Sequence, residues 1–292
     1  MPFDTPDFET PYKVAKQLKE EFGLDGAVVL GGEPSIYTAQ THKLLAKLST
    51  LGIFTRLETN ADWARDDESA YSFLEPLKAI NTSVMFSLDA FHEPFISFEN
   101  IMHAVKSCVK LGITYNLEIP YLDFKTKNNP LDKRTYELEQ KAKSEIEDIQ
   151  IYSGNVLFTG SAARTYGDKF SAGKGIPDKP CTKVPWWIDS DIETTELLYL
   201  EPGGWLTKGC GITIANIYKQ DLSDIISNYK ADASPVFRLL LKEGPIGLAR
   251  EAEKYGYVIK KDYADQCHLC HEARQVLKSV YPDILQPDQH YK

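Results

Sequence analysis

The sequence predicts an α/β protein in which a parallel sheet of five strands, joined by helices, is followed by a smaller cysteine-bearing domain. Short apolar runs alternate with helical patterns through the first half of the chain, which is typical of βαβ units. Polar and glycine residues gather just after each apolar run. Four of the five cysteines come after residue 180, in a part of the chain rich in proline and glycine.

Composition and charge exclude several classes of protein. The 292 residues are 42% hydrophobic and 26% charged, as in ordinary globular proteins, and the net charge of -9 argues against a broad nucleic-acid surface. No apolar run approaches the ~18 residues of a membrane span, and the N-terminus lacks the features of a secretion signal. We therefore expect a cytoplasmic protein. The odd number of cysteines argues against a disulfide scaffold, and the clustering of four of them late in the chain favours metal binding.

Periodicity places the elements of the first half in order. It predicts helices over residues 9–22, 38–51, 67–79, 98–111 and 133–147. It predicts strands over residues 27–30, 53–60, 83–90, 113–120 and 149–160. In a barrel of parallel strands, the residues that follow each strand form the rim where active sites lie.

The second half has a different character. Proline and glycine interrupt the chain, and only two further helices are predicted there, over residues 222–229 and 235–254. This change predicts two domains, residues 1–165 and residues 166–292.

Three groups of polar residues come at the predicted strand ends. They are Gly31, Gly32, Glu33 and Pro34 after the first strand, Glu58, Thr59 and Asn60 at the second, and Ser87 and Asp89 at the third. Glycine lets a ligand approach the backbone closely, Pro34 can open a turn or helix, and the side chains of the remaining residues can hydrogen-bond a ligand. The same residues could also serve as turns and helix caps, and the two roles do not exclude each other.

The order GGEP, ETN and SLD, followed by a cysteine-bearing extension, resembles the radical S-adenosylmethionine (SAM) superfamily over residues 9–275. The resemblance implies a partial (β/α)6 barrel with a SPASM- or twitch-like C-terminal extension. It also implies SAM as cofactor, with the GGE element holding its amino-acid part. The residues of the ETN and SLD motifs would complete the SAM site.

The motif that holds the catalytic cluster in that family, CxxxCxxC, is absent. No cysteine precedes Cys108, which the helical pattern places inside helix 98–111 as a buried residue. The five strands would match barrel strands two to six, so the first strand is also missing. The sequence can be read in three ways: a truncated sequence, which we favour, a natural degenerate homologue, or a protein whose missing unit comes from another chain.

The late cysteines predict a metal centre with the ligands Cys181, Cys210, Cys267 and Cys270. Iron–sulfur clusters commonly take four thiolates. The segment around Cys210 resembles the cysteine-bearing hairpin of SPASM and twitch domains, and QCHLCHEAR resembles their closing CxxC. One auxiliary [4Fe–4S] cluster is therefore implied. Structural zinc, with His268 or His271 as possible ligands, is the alternative. Trp186 and Trp187 could shield the centre.

The resemblance implies SAM-dependent radical chemistry, with a peptide or protein as the leading substrate class, a small molecule as another, and an electron donor as partner. Without CxxxCxxC, catalysis by this sequence is left open. The alternative is a non-catalytic binding or partner protein with the same fold and a structural metal site of four cysteines. A zinc hydrolase is disfavoured because HExxH and GxSxG are absent.

Overall fold

The computed structural model describes residues 7–185 and 189–291. It divides into two compact units, Met1–Val156 and Leu157–Lys292. Each unit has its own buried hydrophobic core. The assignment of residues 1–165 to a radical SAM barrel and of residues 166–292 to a cluster domain stays a prediction.

Helices and strands alternate through the first unit. Its helices are α1 Glu9–Phe22, α2 Thr38–Thr50, α3 Asp67–Leu74, α4 Phe98–Leu111 and α5 Pro130–Glu145. Its strands are β1 Gly26–Val29, β2 Phe54–Thr59, β3 Thr82–Ser87, β4 Thr114–Tyr121 and β5 Ile151–Asn155. Short 3₁₀ turns cover Pro34–Tyr37 and Glu75–Leu77. All ten predicted elements of this half are present, with ends that differ by a few residues.

The five strands form one sheet in the order β1-β2-β3-β4-β5, and every neighbouring pair is parallel. Because each strand is joined to the next by a helix, all carboxyl ends lie at one edge of the sheet. This confirms the predicted α/β fold with a parallel sheet. Consecutive strands in this order are the arrangement of a partial (β/α) barrel.

Capping residues fix where the helices begin and end. The Ser97 side chain accepts a hydrogen bond from the Asn100 backbone N–H at 3.2 Å at the start of α4. The same helix ends at Gly112, whose φ of 71° lies in the left-handed region. Gly23 ends α1 in the same way, with φ 72°. These caps end their helices a few residues before the next strand begins, so the connections to the sheet are short.

Alternation along β2 separates the two faces of the sheet. Leu57 and Thr59 are buried, and Leu57 belongs to the core that the helices cover. Arg56 and Glu58, which point to the opposite face, are half-buried. A sheet packed by helices on one face therefore presents charged residues on the other, where a ligand could lie.

The second unit contains short strands and helices. Its strands are β6 Lys183–Pro185, β7 Asp189–Asp191, β8 Tyr199–Glu201, β9 Trp205–Thr207 and β10 Thr213–Asn216. Its helices are α6 Gly160–Ala162, α7 Leu222–Ser227, α8 Pro235–Glu243, α9 Pro245–Glu253 and α10 Gln266–Leu277. A π-helical turn, Ala163–Gly167, continues α6, and 3₁₀ turns cover Asp168–Phe170, Ala231–Ala233 and Asp288–Tyr291.

Two antiparallel sheets organise these strands. One has the order β10-β9-β8, and the other pairs β6 with β7. The β8–β9 hairpin pairs Tyr199 with Thr207 and Glu201 with Trp205, and Cys210 follows it. The segment from Leu198 to Gly211 thus forms a hairpin that leads to a cysteine, as the resemblance implied.

Two predicted elements differ from the structure. The helix predicted over residues 235–254 is two helices, α8 and α9, separated by Gly244. This glycine has φ 75° and ψ -166°, a conformation that only glycine adopts readily, and Pro245 then begins the next helix. The strand predicted to reach residue 160 ends at Asn155, since its partner β4 ends at Tyr121.

None of the helices in the part of the chain that the structure describes is long and apolar enough to cross a membrane.

Candidate functional site

Glu33 joins two of the sequence motifs at the carboxyl edge of the first unit's sheet. Its Oε1 accepts hydrogen bonds from the Ser35 backbone N–H at 3.0 Å and from the Thr59 hydroxyl at 2.8 Å. Its Oε2 accepts one from the Asn60 backbone N–H at 2.8 Å. The GGE and ETN segments are therefore held together through one carboxylate, as neighbouring strand ends allow.

The Thr59 hydroxyl is fully used within the protein. It donates to Glu33 and accepts from the Trp63 indole N–H at 3.0 Å and from the Ala61 backbone N–H at 3.1 Å. A hydroxyl has one donor and two acceptor positions, so no further hydrogen bond is open to it. Thr59 thus holds Glu33 in place.

Gly31 and Gly32 border open space. A Cβ built on either glycine would meet no atom within 4 Å, so the backbone there is accessible to a ligand. Neither glycine is in the left-handed region, although glycine would permit it. Pro34 begins the 3₁₀ turn Pro34–Tyr37, which the Glu33 side chain caps. These glycines therefore provide close approach and no special backbone geometry.

Asp89 is buried just beyond the end of β3 and organises the following turn. Its Oδ1 accepts from the backbone N–H groups of Phe91 at 2.7 Å and His92 at 2.9 Å. Its Oδ2 lies 2.7 Å from His92 Nδ1. This hydrogen bond raises the pKa of His92, against the opposing effect of burial. Ser87, the last residue of β3, is half-buried.

The face of the sheet opposite the helix-covered core carries a second group of charges, Arg56, Glu58 and Glu118. Glu58 lies opposite Met85, and Glu118 lies opposite Ser87. Burial raises the pKa of Glu58, and the Arg56 guanidinium partly offsets this. Burial, together with Glu58 and Asp89, raises the pKa of Glu118 to about 7. Alternation on the fourth strand already predicts from the sequence that Glu118 points into the barrel. Sequence reasoning missed Arg56, although the same period-two alternation on β2 places it on this face.

The second unit contains a cavity of about 40 Å³ that all four predicted metal ligands line. Cys181 precedes β6, Cys210 follows the β8–β9 hairpin, and Cys267 and Cys270 lie on the first turns of α10. Their backbone positions are fixed independently, since the Cys181 N–H donates to the Leu240 carbonyl at 2.9 Å and Asp265 caps α10. Three distant segments thus deliver four thiols to one space.

The thiols influence one another's ionisation. Burial, with smaller contributions from Cys270 and Cys210, raises the pKa of Cys181 to about 12. Burial also raises the pKa of Cys267, and the charges of Asp265 and the other three cysteines raise it further. Cys108 in α4 differs, because burial alone raises its pKa to about 12. Metal binding requires deprotonated thiols, so a metal centre in this cavity would stabilise them as thiolates.

One group of conventional metal ligands lies nearby, but an ammonium occupies it. Asp168, His268 and Glu272 bring their ligand atoms within 4.8 Å of one another. Lys260 Nζ lies 2.7 Å from Asp168 and 2.6 Å from Glu272, so its single positive charge is shared between both carboxylates. This group is an ion-pair network beside α10.

The two histidines proposed as alternative zinc ligands differ in their surroundings. His268 Nδ1 accepts from the Ala264 backbone N–H at 3.2 Å, and its Nε2 lies 3.2 Å from Glu272. Both ring nitrogens of His268 are therefore engaged. His271 Nδ1 accepts a long bond of 3.4 Å from Gly160, whereas its buried Nε2 has no partner among the residues that the structure describes. Neither histidine lines the cysteine cavity.

Two cations, Lys208 and Arg274, also line the cysteine cavity, and sequence reasoning missed both. Both are about 1% exposed. The signal was present in their spacing, because Lys208 comes two residues before Cys210 and Arg274 follows Cys270 by one helical turn. Trp186 and Trp187, predicted to shield the centre, lie outside the described residues.

No family model matches the sequence, and no curated protein matches it. Solved structures do resemble it. The crystal structure of Streptococcus suis SuiB has 14% sequence identity and a TM-score of 0.39, covering 77% of this chain and 60% of SuiB. Native anSMEcpe with bound AdoMet has 13% sequence identity and a TM-score of 0.49, covering 96% of this chain and 89% of anSMEcpe. The complex of anSMEcpe with AdoMet and the Kp18Cys peptide has 13% sequence identity and a TM-score of 0.46, covering 95% of this chain and 89% of anSMEcpe.

The chain spans less than two thirds of SuiB. Identities of 13–14% and TM-scores below 0.5 restrict these similarities to the course of the backbone, so function is argued from the residues. The chain's own architecture, five parallel strands in sequential order with the GGEP and ETN motifs joined at their carboxyl ends, is the α/β fold with a parallel sheet that the sequence predicts.

Proposed function

We propose that the second unit binds one [4Fe–4S] cluster through Cys181, Cys210, Cys267 and Cys270. The observation that carries this proposal is the common cavity that these four thiols line. Iron–sulfur clusters are commonly held by four cysteine thiolates, and clusters of this kind need a largely buried, shaped site. The donor set and its burial both fit the group.

The spacing of the thiols supports iron–sulfur over zinc. Sulfurs on one tetrahedral zinc lie about 3.8 Å apart, because each Zn–S bond is about 2.3 Å. In the described part of the chain, no three ligand atoms that include a cysteine come within 4.8 Å of one another. In a four-iron cluster each thiolate binds a different iron, so the sulfurs stay farther apart. Thiols that share one cavity yet stand farther apart than zinc requires suit the larger group.

The first unit is proposed to bind SAM at the carboxyl edge of its sheet. The open space beside Gly31 and Gly32 would accept the amino-acid part of SAM, and Glu33 Oε2 keeps room to accept from its ammonium. Asn60, Ser87 and Asp89 are the nearby polar residues proposed for the rest of the site. Bound SAM supplies radical chemistry when a catalytic cluster reduces it. The structurally similar anSMEcpe was solved with AdoMet bound.

Together the two sites support SAM-dependent radical chemistry on a peptide or protein. The substrate class follows from the family resemblance, and anSMEcpe was solved with a peptide bound. The printed sequence contains no CxxxCxxC, so none of its residues is assigned to the catalytic cluster. For that reason a non-catalytic partner protein with the same fold remains the second candidate.

Anaerobic reconstitution of the full chain with iron and sulfide tests the cluster. We expect about four irons and four sulfides per chain, with the broad visible absorption of such clusters. Cys210→Ala and Cys267→Ala should each lose most of the bound iron. Cys108→Ala is the matched control and should keep it, since Cys108 is buried in α4 of the other unit. Zinc without sulfide in the loaded protein would exclude the cluster.

Titration calorimetry with SAM separates the two candidate functions. A radical SAM protein should bind SAM, and Gly32→Val should abolish binding without loss of stability, because its side chain fills open space. Gly154→Val on β5 is the control, since a Cβ there also meets no atom within 4 Å. Absence of SAM binding by the wild-type chain would favour the non-catalytic partner.

A further inference from the structure

Arg274 is a buried cation with neutral partners. It lies on α10 and is about 1% exposed. Its guanidinium donates to the backbone carbonyl of Cys210 and to the Cys270 carbonyl at 3.3 Å, and it lies 2.9 Å from the Tyr291 hydroxyl. Arginine stays charged in proteins, so a full positive charge is fixed against the backbone of two predicted cluster ligands.

Lys208 brings a second cation to the same cavity from a different part of the chain. Its ammonium donates to the carbonyls of Thr194 at 2.6 Å and Leu197 at 3.1 Å. Asp191 and Glu196 attract it at longer range, and its hydrogen-bond partners among the described residues are these carbonyls. Lys208 follows β9, so its position does not depend on α10.

Two buried cations held by carbonyls and a hydroxyl call for an anion. Burying an unpaired charge is unfavourable by several kcal/mol, and backbone carbonyls compensate only part of this. The cavity that both side chains line is otherwise apolar except for the four thiols, Lys183, Thr159 and Gln266. The anion that this cavity is built to hold must therefore come from the cysteines.

We propose that Arg274 and Lys208 are the counter-charges of the cluster held by the four cysteines, and that they make its one-electron reduction easier. This inference rests on the proposed function. It assigns the cluster the role of an electron carrier whose coordination is complete, with a reduction potential raised by two fixed cations.

The electron balance explains the direction of the effect. With four thiolates the oxidised cluster is a dianion, and one electron from a low-potential one-electron donor makes it a trianion. No bond forms or breaks, and no proton needs to move. Because attraction to a fixed cation grows with the cluster's negative charge, each cation stabilises the reduced form more than the oxidised form.

The test is a redox titration of the reconstituted full chain with dithionite and mediator dyes, followed by electron paramagnetic resonance of the reduced cluster. Arg274→Gln and Lys208→Gln should each lower the equilibrium constant for reduction about tenfold, which is a shift of about -59 mV for one electron. Arg274→Lys retains the charge and should restore most of the wild-type potential. Arg250→Gln, an exposed arginine paired with Glu243, is the control and should leave the potential unchanged.

The outcomes distinguish a failure of the counter-charge inference from a failure of the proposed [4Fe–4S] cluster. If the wild-type chain takes up no iron and sulfide, the proposed function fails. If the clusters assemble and the glutamine variants keep the wild-type potential, the counter-charge inference is overturned while the cluster stands. Should Arg274→Gln not fold, Lys208→Gln gives the same decision, because it lies on a different element.

Discussion

Glu58 and Glu118 place two carboxylates on the face of the first unit's sheet that lies opposite its helix-covered core. Both are half-buried, and burial disfavours their charged forms. Glu118 is the more strongly affected because Glu58 and Asp89 repel its charge, while His92 and Arg56 only partly compensate. At neutral pH this face therefore stores unfavourable electrostatic energy, which a cationic group of a ligand would relieve.

Glu118→Gln should make the protein more stable at high pH. The pKa of Glu118 is about 7 in the folded protein and near 4.5 when unfolded, so the folded state binds more protons between these values. The free energy of unfolding therefore falls as pH rises through this window. The glutamine variant removes that loss, a gain on the order of 2 kcal/mol at about pH 8 and little at about pH 4.

Urea unfolding at both pH values measures this gain. Glu137→Gln is the control, because Glu137 lies on the exposed face of α5 and should keep the wild-type pH dependence. An unchanged slope of stability against pH in the Glu118 variant would show that another group causes it.

Single residues differ in how well the sequence predicts them. The convergence of the four cysteines on one cavity could be predicted, because thiols in a CxxC and near glycine-rich turns have few other uses. Glu33 was placed correctly at a strand end, yet its three hydrogen bonds within the protein depend on which strands are neighbours. The burial of Lys208 and Arg274 goes against the usual exposure of such residues, and only their spacing from Cys210 and Cys270 signals it in the sequence.

At the scale of elements, the break between α8 and α9 makes room for the segment that carries Cys181. A Cβ on Gly244 would lie 2.0 Å from the Lys179 backbone carbonyl oxygen, two residues before this ligand. The Cys181 N–H in turn donates to the Leu240 carbonyl near the end of α8. One glycine thus links the ending of a helix to the position of a predicted cluster ligand.

Gly244→Ala should destabilise the second unit by about 3 kcal/mol and lower its iron content. The left-handed φ of 75° disfavours alanine, and the contact with Lys179 requires the backbone before Cys181 to move. Thermal unfolding and iron counts on the reconstituted protein measure the two effects.

Gly23→Ala separates the backbone strain from the contact. Gly23 also has φ 72°, but a Cβ there meets no atom within 4 Å, so we expect a loss of about 1 kcal/mol and normal iron content. Equal effects of the two substitutions would mean that the close approach to Lys179 does not position Cys181.

Elements of the first unit could be predicted better than those of the second because periodicity reports burial on one face. Helix α4 shows this, since its buried residues recur at helical spacing between Ser97 and Gly112. The end of β5 depends on a partner strand, which periodicity does not report. In the second unit, strands of three or four residues are too short for a pattern, and only the GP pair at 244–245 signalled the helix break.

At the scale of the whole molecule, the two units have different sources of stability. The first has a continuous core of aliphatic and aromatic residues between the sheet and its helices. The second also has a buried hydrophobic core, but this core includes Cys270 and adjoins a cavity lined by thiols and cations. A group that binds only the folded state adds its binding energy to folding, so the stability of the second unit should depend on the proposed cluster.

Hydrogen exchange of the full chain, with and without the reconstituted cluster, should therefore show an uneven response. Loading the cluster should slow exchange by at least about tenfold in α10 and in the β8–β9 hairpin, because these elements carry or lead directly to three of the four ligands. Amides of β2, β3 and β4 should exchange at the same rate in both forms, since their hydrogen bonds and core lie within the first unit. The Cys267→Ala variant, treated in the same way, should respond as the unloaded protein does. Equal slowing in both units would mean that they unfold as one cooperative body, and that the stability of the sheet also depends on the cysteine site.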